Sequence, residues 1–78
     1  MTMLTGIYRG VVVATADPQR RGRLKIEVPD VPGSSTLWAL PCVPAGSRAR
    51  PVVGALVWVM FERGDPSAPV WLGVLPAP

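Results

Sequence analysis

Four basic residues stand within six positions: Arg20, Arg21, Arg23 and Lys25. They are half of the eight basic residues in a chain whose net charge is +3. Chemically, such a cluster can meet phosphates. More commonly it is the solvated end of a hairpin. The other reactive groups are few. There is no histidine, so the usual general base near neutral pH is missing. Cys42 is the one cysteine. It stands in an apolar run with no base nearby in sequence, which predicts a buried, inert thiol rather than a nucleophile. The five carboxylates are Asp17, Glu27, Asp30, Glu62 and Asp65. Asp17 and Asp65 precede prolines and read as turn residues. Glu27 alternates with apolar positions and should face water. No pair of them has the look of a glycosidase, and no glycine-rich loop cradles a phosphate. The sequence therefore offers no catalytic residue, no metal ligand set and no cofactor site, and it predicts a protein that is not an enzyme.

The elements that position these groups follow from size and pattern. Seventy-eight residues read as a single domain over 1–78. A chain this short buries only about 60% of its unfolded surface and is marginal without help. An internal disulfide needs a second cysteine, and a zinc site needs more ligands than one thiol. That leaves partner chains. The composition agrees, since 49% apolar with 17% charged is greasy for a small domain.

Ten prolines are scattered along the chain. Each removes a backbone donor and blocks a helix interior. The long proline-free stretches, 1–17 and 52–65, are rich in valine and aromatics, so strands are expected and little or no helix. Five short strands are predicted, near 7–16, 23–28, 37–43, 55–61 and 69–75. The first reads as largely buried. In the second, Leu24, Ile26 and Val28 alternate with Arg23, Lys25 and Glu27, one face to a core and one to water. Pro41 inside the third implies an edge or a bulge. The fourth is apolar on both faces, which hides its register. Between the fourth and fifth, "ERGDPSA" holds Gly64 and the turn pair Asp65-Pro66, a hairpin signature. A membrane segment would not carry Glu62, Arg63 and Asp65 at its centre. The run Pro51 to Phe61 is also far shorter than the roughly 20 residues a spanning helix needs. The N-terminus has neither a basic start nor a long apolar stretch, so no secretory signal is read and a reducing cytoplasm is expected.

Five strands without a covering helix must avoid bare edges, and closing into a barrel does so. The expected fold is all-β, a small five-stranded OB-fold barrel of Greek-key type, with an SH3-like barrel as runner-up. OB-folds often carry a helix between the third and fourth strands. Here that connection is the proline-broken loop 44–54. OB-folds can also bind single-stranded nucleic acid through a basic groove with stacking aromatics. A small single-stranded nucleic-acid-binding protein is therefore the alternative reading, with Arg20, Arg21, Arg23 and Lys25 of the basic hairpin as its phosphate contacts. The aromatics do not interleave with that hairpin, because the second strand carries none. Trp38, Trp58 and Trp71 stand in apolar context and read as core or protein-interface residues.

Several ordered elements resemble a known family. They are Gly10, Asp17-Pro18, Gly22-Arg23, Trp38-Ala39, Pro44-Ala45-Gly46, Gly64-Asp65-Pro66, Pro69-Val70 and Leu72-Gly73. Together they resemble the OB domain of phage baseplate assembly protein V. The same domain occurs in valine-glycine-repeat spike proteins of type VI secretion and in central spikes of contractile injection particles. The resemblance covers roughly residues 6–75. It implies an OB adaptor on the tail axis beneath the hub, a homotrimer that links hub to spike, with no enzymatic activity and no cofactor. It also implies a place at a virion tail tip or injection-particle baseplate, assembled in the host cytoplasm. Family OB domains are usually followed by a β-helical spike or a lytic domain. This sequence stops at Pro78 and begins with Met, so the expectation is a complete, minimal adaptor that holds a separate spike chain, or one that closes the tube itself. The expected partner contacts are the outward face of the fourth strand, Trp58 and Met60, and loop 44–54 with Arg48 and Arg50.

Overall fold

The computed structural model describes residues 3–31, 37–47 and 51–76. Five strands form: β1 (Tyr8–Ala14), β2 (Leu24–Glu27), β3 (Trp38–Pro41), β4 (Leu56–Phe61) and β5 (Pro69–Val74). They close into one barrel in the order β1-β2-β3-β5-β4, with β4 returning to β1. Only β3 and β5 run parallel; the other four pairings are antiparallel. This is the five-stranded OB arrangement, all-β as the proline and valine pattern predicts. No α-helix is present among the described residues, which include 44–47 and 51–54 of the connection where OB-folds often place one.

Closure needs curvature, and two bulges supply it. One lies in β1 between Val12 and Ala14, opposite β2. The other lies where β4 meets β5, between Trp58 and Val59, and leaves Leu72 without a register partner. A bulge bends its strand and increases the local twist, which a small barrel requires.

The core is a cluster of inward side chains: Val12, Leu24, Ile26, Val28, Val31, Ala39, Val57, Val59, Phe61 and Trp71. Trp71 is the largest of them and is 2% exposed. Tyr8 packs edge-on against Phe61, with ring centroids 5.5 Å apart. Gly10 is where β1 crosses this core closely. A Cβ there would lie 3.0 Å from a methyl of the fully buried Val59.

The strands are shorter than the apolar runs that mark them, and some expectations are corrected. β1 is not largely buried. Within it only Gly10 and Val12 are, because a barrel strand has one face inside and the valine run Val11–Val13 straddles both. Pro41 marks neither a free edge nor a bulge. It is the last residue of β3 and pairs with Trp71 of β5, a ladder that the Cys42 N–H continues. Cys42 is exposed, not buried. Its backbone N–H still donates to the Trp71 carbonyl at 2.8 Å. Its side chain shares the outward parity of Leu40, while Ala39 and Val43 face the core.

The β4–β5 stretch is a hairpin, as its loop composition implies. Glu62 N–H donates to the Ala68 carbonyl across its base, and a single 3-10 turn fills Glu62–Gly64. Gly64 has φ 74°. It is also crossed by the N-terminal segment, since Leu4 N–H donates to its carbonyl at 2.9 Å and a Cβ there would lie 3.3 Å from that nitrogen. Both facts favour glycine. Arg63 also takes a left-handed φ of 54°, which its residue type does not signal.

Candidate functional site

The loop between β1 and β2 is organised by Asp17. Its carboxylate accepts the backbone N–H groups of Gln19, Arg21 and Arg23 at 2.8, 2.9 and 3.2 Å. The Arg23 guanidinium donates twice more, through Nε at 3.0 Å and an Nη at 2.8 Å. The Asp17 side chain is only 3% exposed. The Arg23 guanidinium, backed by the three N–H donors, holds its carboxyl far below the usual carboxylate range against the opposing effect of burial. In return the carboxylate raises the pKa of Arg23. The Trp71 indole N–H donates to the Gly22 carbonyl at 3.3 Å, tying this loop to the core. Asp65, in the second Asp-Pro turn, is a milder copy. Its carboxylate accepts Ser67 N–H and Oγ–H at 2.9 and 2.7 Å, and its pKa is lowered by those bonds.

Asp17 is thus more than the turn residue its dipeptide announces. It takes Arg23 out of the set of free cations. Among the described residues Arg23–Asp17 is the one ion pair. Arg20 and Arg21 stay exposed on the loop, Arg20 with φ 53°. Lys25 lies on β2 directly opposite Trp38 on β3. Its Nζ is 5.5 Å from the Trp38 ring centroid, and the Arg23 guanidinium carbon is 5.6 Å from the same centroid. The expectation that no aromatic interleaves with the basic cluster is therefore corrected. The second strand has no aromatic, but its neighbour supplies one across the ladder. A groove of about 280 Å³ runs past Arg21, Arg23, Trp38 and Leu40 to Glu62 and Ser67 of the β4–β5 loop.

The opposite face is built differently. In β4 the inward residues are Val57, Val59 and Phe61, which leaves Leu56, Trp58 and Met60 outside. Trp58 is paired with Arg9 of β1 on one side and Gly73 of β5 on the other. The Arg9 guanidinium carbon is 5.5 Å from the Trp58 ring centroid. Met60, Val70 and Leu40 face one another in a row across β4, β5 and β3. Met60 and Leu40 are each 44% exposed. Among the described residues other than its chain neighbours, nothing lies within 4 Å of a Cβ built at Gly73, so this glycine leaves a gap in the surface beside Trp58.

Of the sequence-predicted residues, Gly22, Gly46 and Gly64 lie in turns with φ of 73°, 82° and 74°. Pro66 follows Asp65 in the hairpin loop, and Gly73 lies within β5. Arg23 and Lys25 come together at Trp38 and Arg21 lines the same groove, while Arg20 is exposed on the loop before β2; Trp58 and Met60 share another face. Arg48 and Arg50 lie outside the described residues. Sequence reasoning passed over Arg9. Its signal was faint: one charge in the apolar run of β1, at the position whose neighbours in the pleat point inward. A cavity of about 560 Å³ opens at the barrel end, with Leu24, Pro41, Val43 and Trp71 in its lining and Arg21 among its polar groups.

Among the described residues no three His, Cys, Asp or Glu side chains come together as a metal site. No described helix is long and apolar enough to cross a membrane. No curated protein matches the chain. A family comparison does succeed. Residues 8–75 match the family described as the type VI secretion system/phage-baseplate injector OB domain, a span that takes in all five strands. With its closed OB barrel and that match, the chain belongs to the family of injector OB domains found in phage baseplates and type VI secretion systems.

Proposed function

We propose that this protein is a structural adaptor at the distal tail or baseplate of a phage or related contractile injection particle. Residues 1–78 act as one OB domain that docks the tail hub to a separate spike chain or closes the tube. It works as a homotrimer on the particle axis, with no catalytic step. The observation that carries the reading is the family match over residues 8–75. The outward face of β4 supports it: Leu56, Trp58 and Met60, continued by Val70 and Leu40, form an apolar surface broken by one cation, Arg9. Docked interfaces have apolar, aromatic-rich cores with charge kept to the rim. The mechanism is geometric, with affinity drawn from burial of this face.

The test is quantitative mass spectrometry of purified tailed particles, with copies of this chain counted against a hub subunit. About three copies per particle are expected of a trimer on the axis. Absence from the particles overturns the adaptor role.

A further inference from the structure

We propose that the outer β2–β3 face, together with the loop that precedes β2, binds single-stranded nucleic acid. The two surfaces meet at Leu40, but the cations and Trp38 lie outside the β4 face, so this activity is tested separately from the adaptor role.

Three cations are available there. Arg20, Arg21 and Lys25 have no carboxylate partner among the described residues, because Asp17 is committed to Arg23. That commitment does not waste Arg23. It fixes the loop through three backbone N–H bonds, so Arg20 and Arg21 are presented on a preorganised turn rather than a floppy one. Beside them stands an aromatic platform. Trp38 is half-buried, directly across from Lys25. Stacking on a partly exposed ring between cations is how sequence-tolerant binders hold unpaired bases.

The groove then offers two kinds of polar group. Arg21 and Arg23 are in its lining, and so are Glu62 and Ser67. Cations suit a phosphate. A carboxylate and a hydroxyl suit the exocyclic amino and ring N–H groups on a base edge. The groove measures about 280 Å³. A cavity of about 150 Å³ is enough to hold benzene, so a base with part of its sugar fits. The topology also agrees. In OB barrels the β2–β3 face and the loops after β1 and β4 form the oligonucleotide surface, and those elements line this groove. An acidic protein would satisfy the cations but leave Trp38 unused. Duplex DNA would keep its bases stacked on one another and away from the ring.

The experiment is fluorescence anisotropy of a fluorescein-labelled oligothymidylate, titrated with the full chain over a sodium chloride series. Three phosphate contacts at about 0.7 counterions each predict a slope of log K against log salt near −2. Trp38→Ala should weaken binding by about tenfold or more, the loss of one stacked base. Trp58→Ala should leave it unchanged. The Arg20→Gln/Arg21→Gln pair lies on an exposed loop and should cut the slope to about −0.7, with only Lys25 left. This pair serves as the test if Trp38→Ala does not fold. Three results overturn the proposal: no binding at low salt, equal affinity for the Trp38→Ala variant in a folded barrel, or equal affinity for heparin and polyglutamate, which would reduce the face to a general polyanion attractor.

Discussion

Trp58 and Trp38 are two half-buried indoles on the outside of one barrel, and each faces a cation on the next strand. Arg9 is 5.5 Å from the first ring and Lys25 is 5.5 Å from the second. Pair for pair they are alike. Their surroundings are not. Around Trp58 lie Leu56, Met60 and a bare Gly73, so its cation stands alone in an apolar field. Around Trp38 lie Arg21, Arg23 and a groove that ends at a carboxylate. The same contact, worth about 0.5–1 kcal/mol at an exposed site, therefore decides little about function. The neighbourhood decides. The first ring is set to meet another protein, the second to meet an anion that carries its own ring.

That comparison holds only while one core supports both faces. Trp71 is its largest member, and its N–H holds the loop that carries Arg21 and Arg23. Trp71→Ala should cost about 3–5 kcal/mol and unfold so small a barrel near ambient temperature. Urea denaturation followed by far-UV circular dichroism checks it. A loss below about 1 kcal/mol would mean that the two faces do not share this support. The next effect separates them directly. Trp58→Ala should weaken docking to the hub by at least about 2 kcal/mol, roughly 30-fold, as expected for a central aromatic in an interface. The same change should leave the melting curve and oligonucleotide binding nearly intact. If Trp38→Ala weakens the hub complex as much, the division between the faces fails.

Much of this was legible before any coordinates, and the illegible part has a physical pattern. Leu24, Ile26 and Val28 alternate with charges, so the inside of β2 was readable from period two alone. Glycine and Asp-Pro dipeptides located both hairpin loops, because those residues satisfy backbone demands that are local. β4 has no such contrast. Val57, Val59 and Phe61 point inward while Leu56, Trp58 and Met60 point outward, and all are apolar. Its register is set by strands far away in sequence. The candidate faces are harder still. Lys25 meets Trp38, and Arg9 meets Trp58, only because the ladder brings them opposite. Composition cannot show that. Asp17 could be assigned to a turn, but its grip on Arg23 depends on the loop closing back. Cys42 was misplaced because its apolar run was read as core, whereas it shares the outward parity of Leu40.

Glycines test the inside against the outside. Gly10 faces the core, where an added Cβ would meet Val59 at 3.0 Å. Val59 is fully buried and has nowhere to move. Gly10→Ala should cost about 1–3 kcal/mol, read from the same denaturation curves.

A smaller effect, confined to the basic face, comes from acid. Asp17 has a folded pKa far below its ordinary value of about 3.9. A depressed carboxylate stabilises the fold while it is ionised. Its contribution is fully present above that ordinary value and is lost as pH falls through it toward the folded value. Asp65 acts in the same direction, held mainly by Ser67, with the charge of Arg63 adding to it. Melting temperature should be flat from about pH 5 upward and fall on acidification below about pH 4. Asp17→Asn should lower the plateau and flatten the acid fall. Asp65→Asn should change both less. Equal effects from the two substitutions would show that Arg23 adds nothing to the first turn.

Gly73 should give the smallest change in stability and the sharpest division of roles. It is a glycine within a strand, where glycine usually weakens the ladder. Its φ is not in the left-handed region, and beyond its chain neighbours no described residue lies within 4 Å of an added Cβ, so none of them calls for a glycine there. Gly73→Ala should therefore leave the fold unharmed or stabilise it by about 0.4–1 kcal/mol through the unfolded state. Yet the position sits directly beside Trp58 on the face proposed to dock. If a partner backbone fills that gap, a single methyl will weaken the complex while the barrel itself gains stability. Melting curves and a hub-binding titration on the same variant decide it. A more stable barrel with unimpaired docking would move the contact away from the β4–β5 seam and leave Trp58 as ordinary surface.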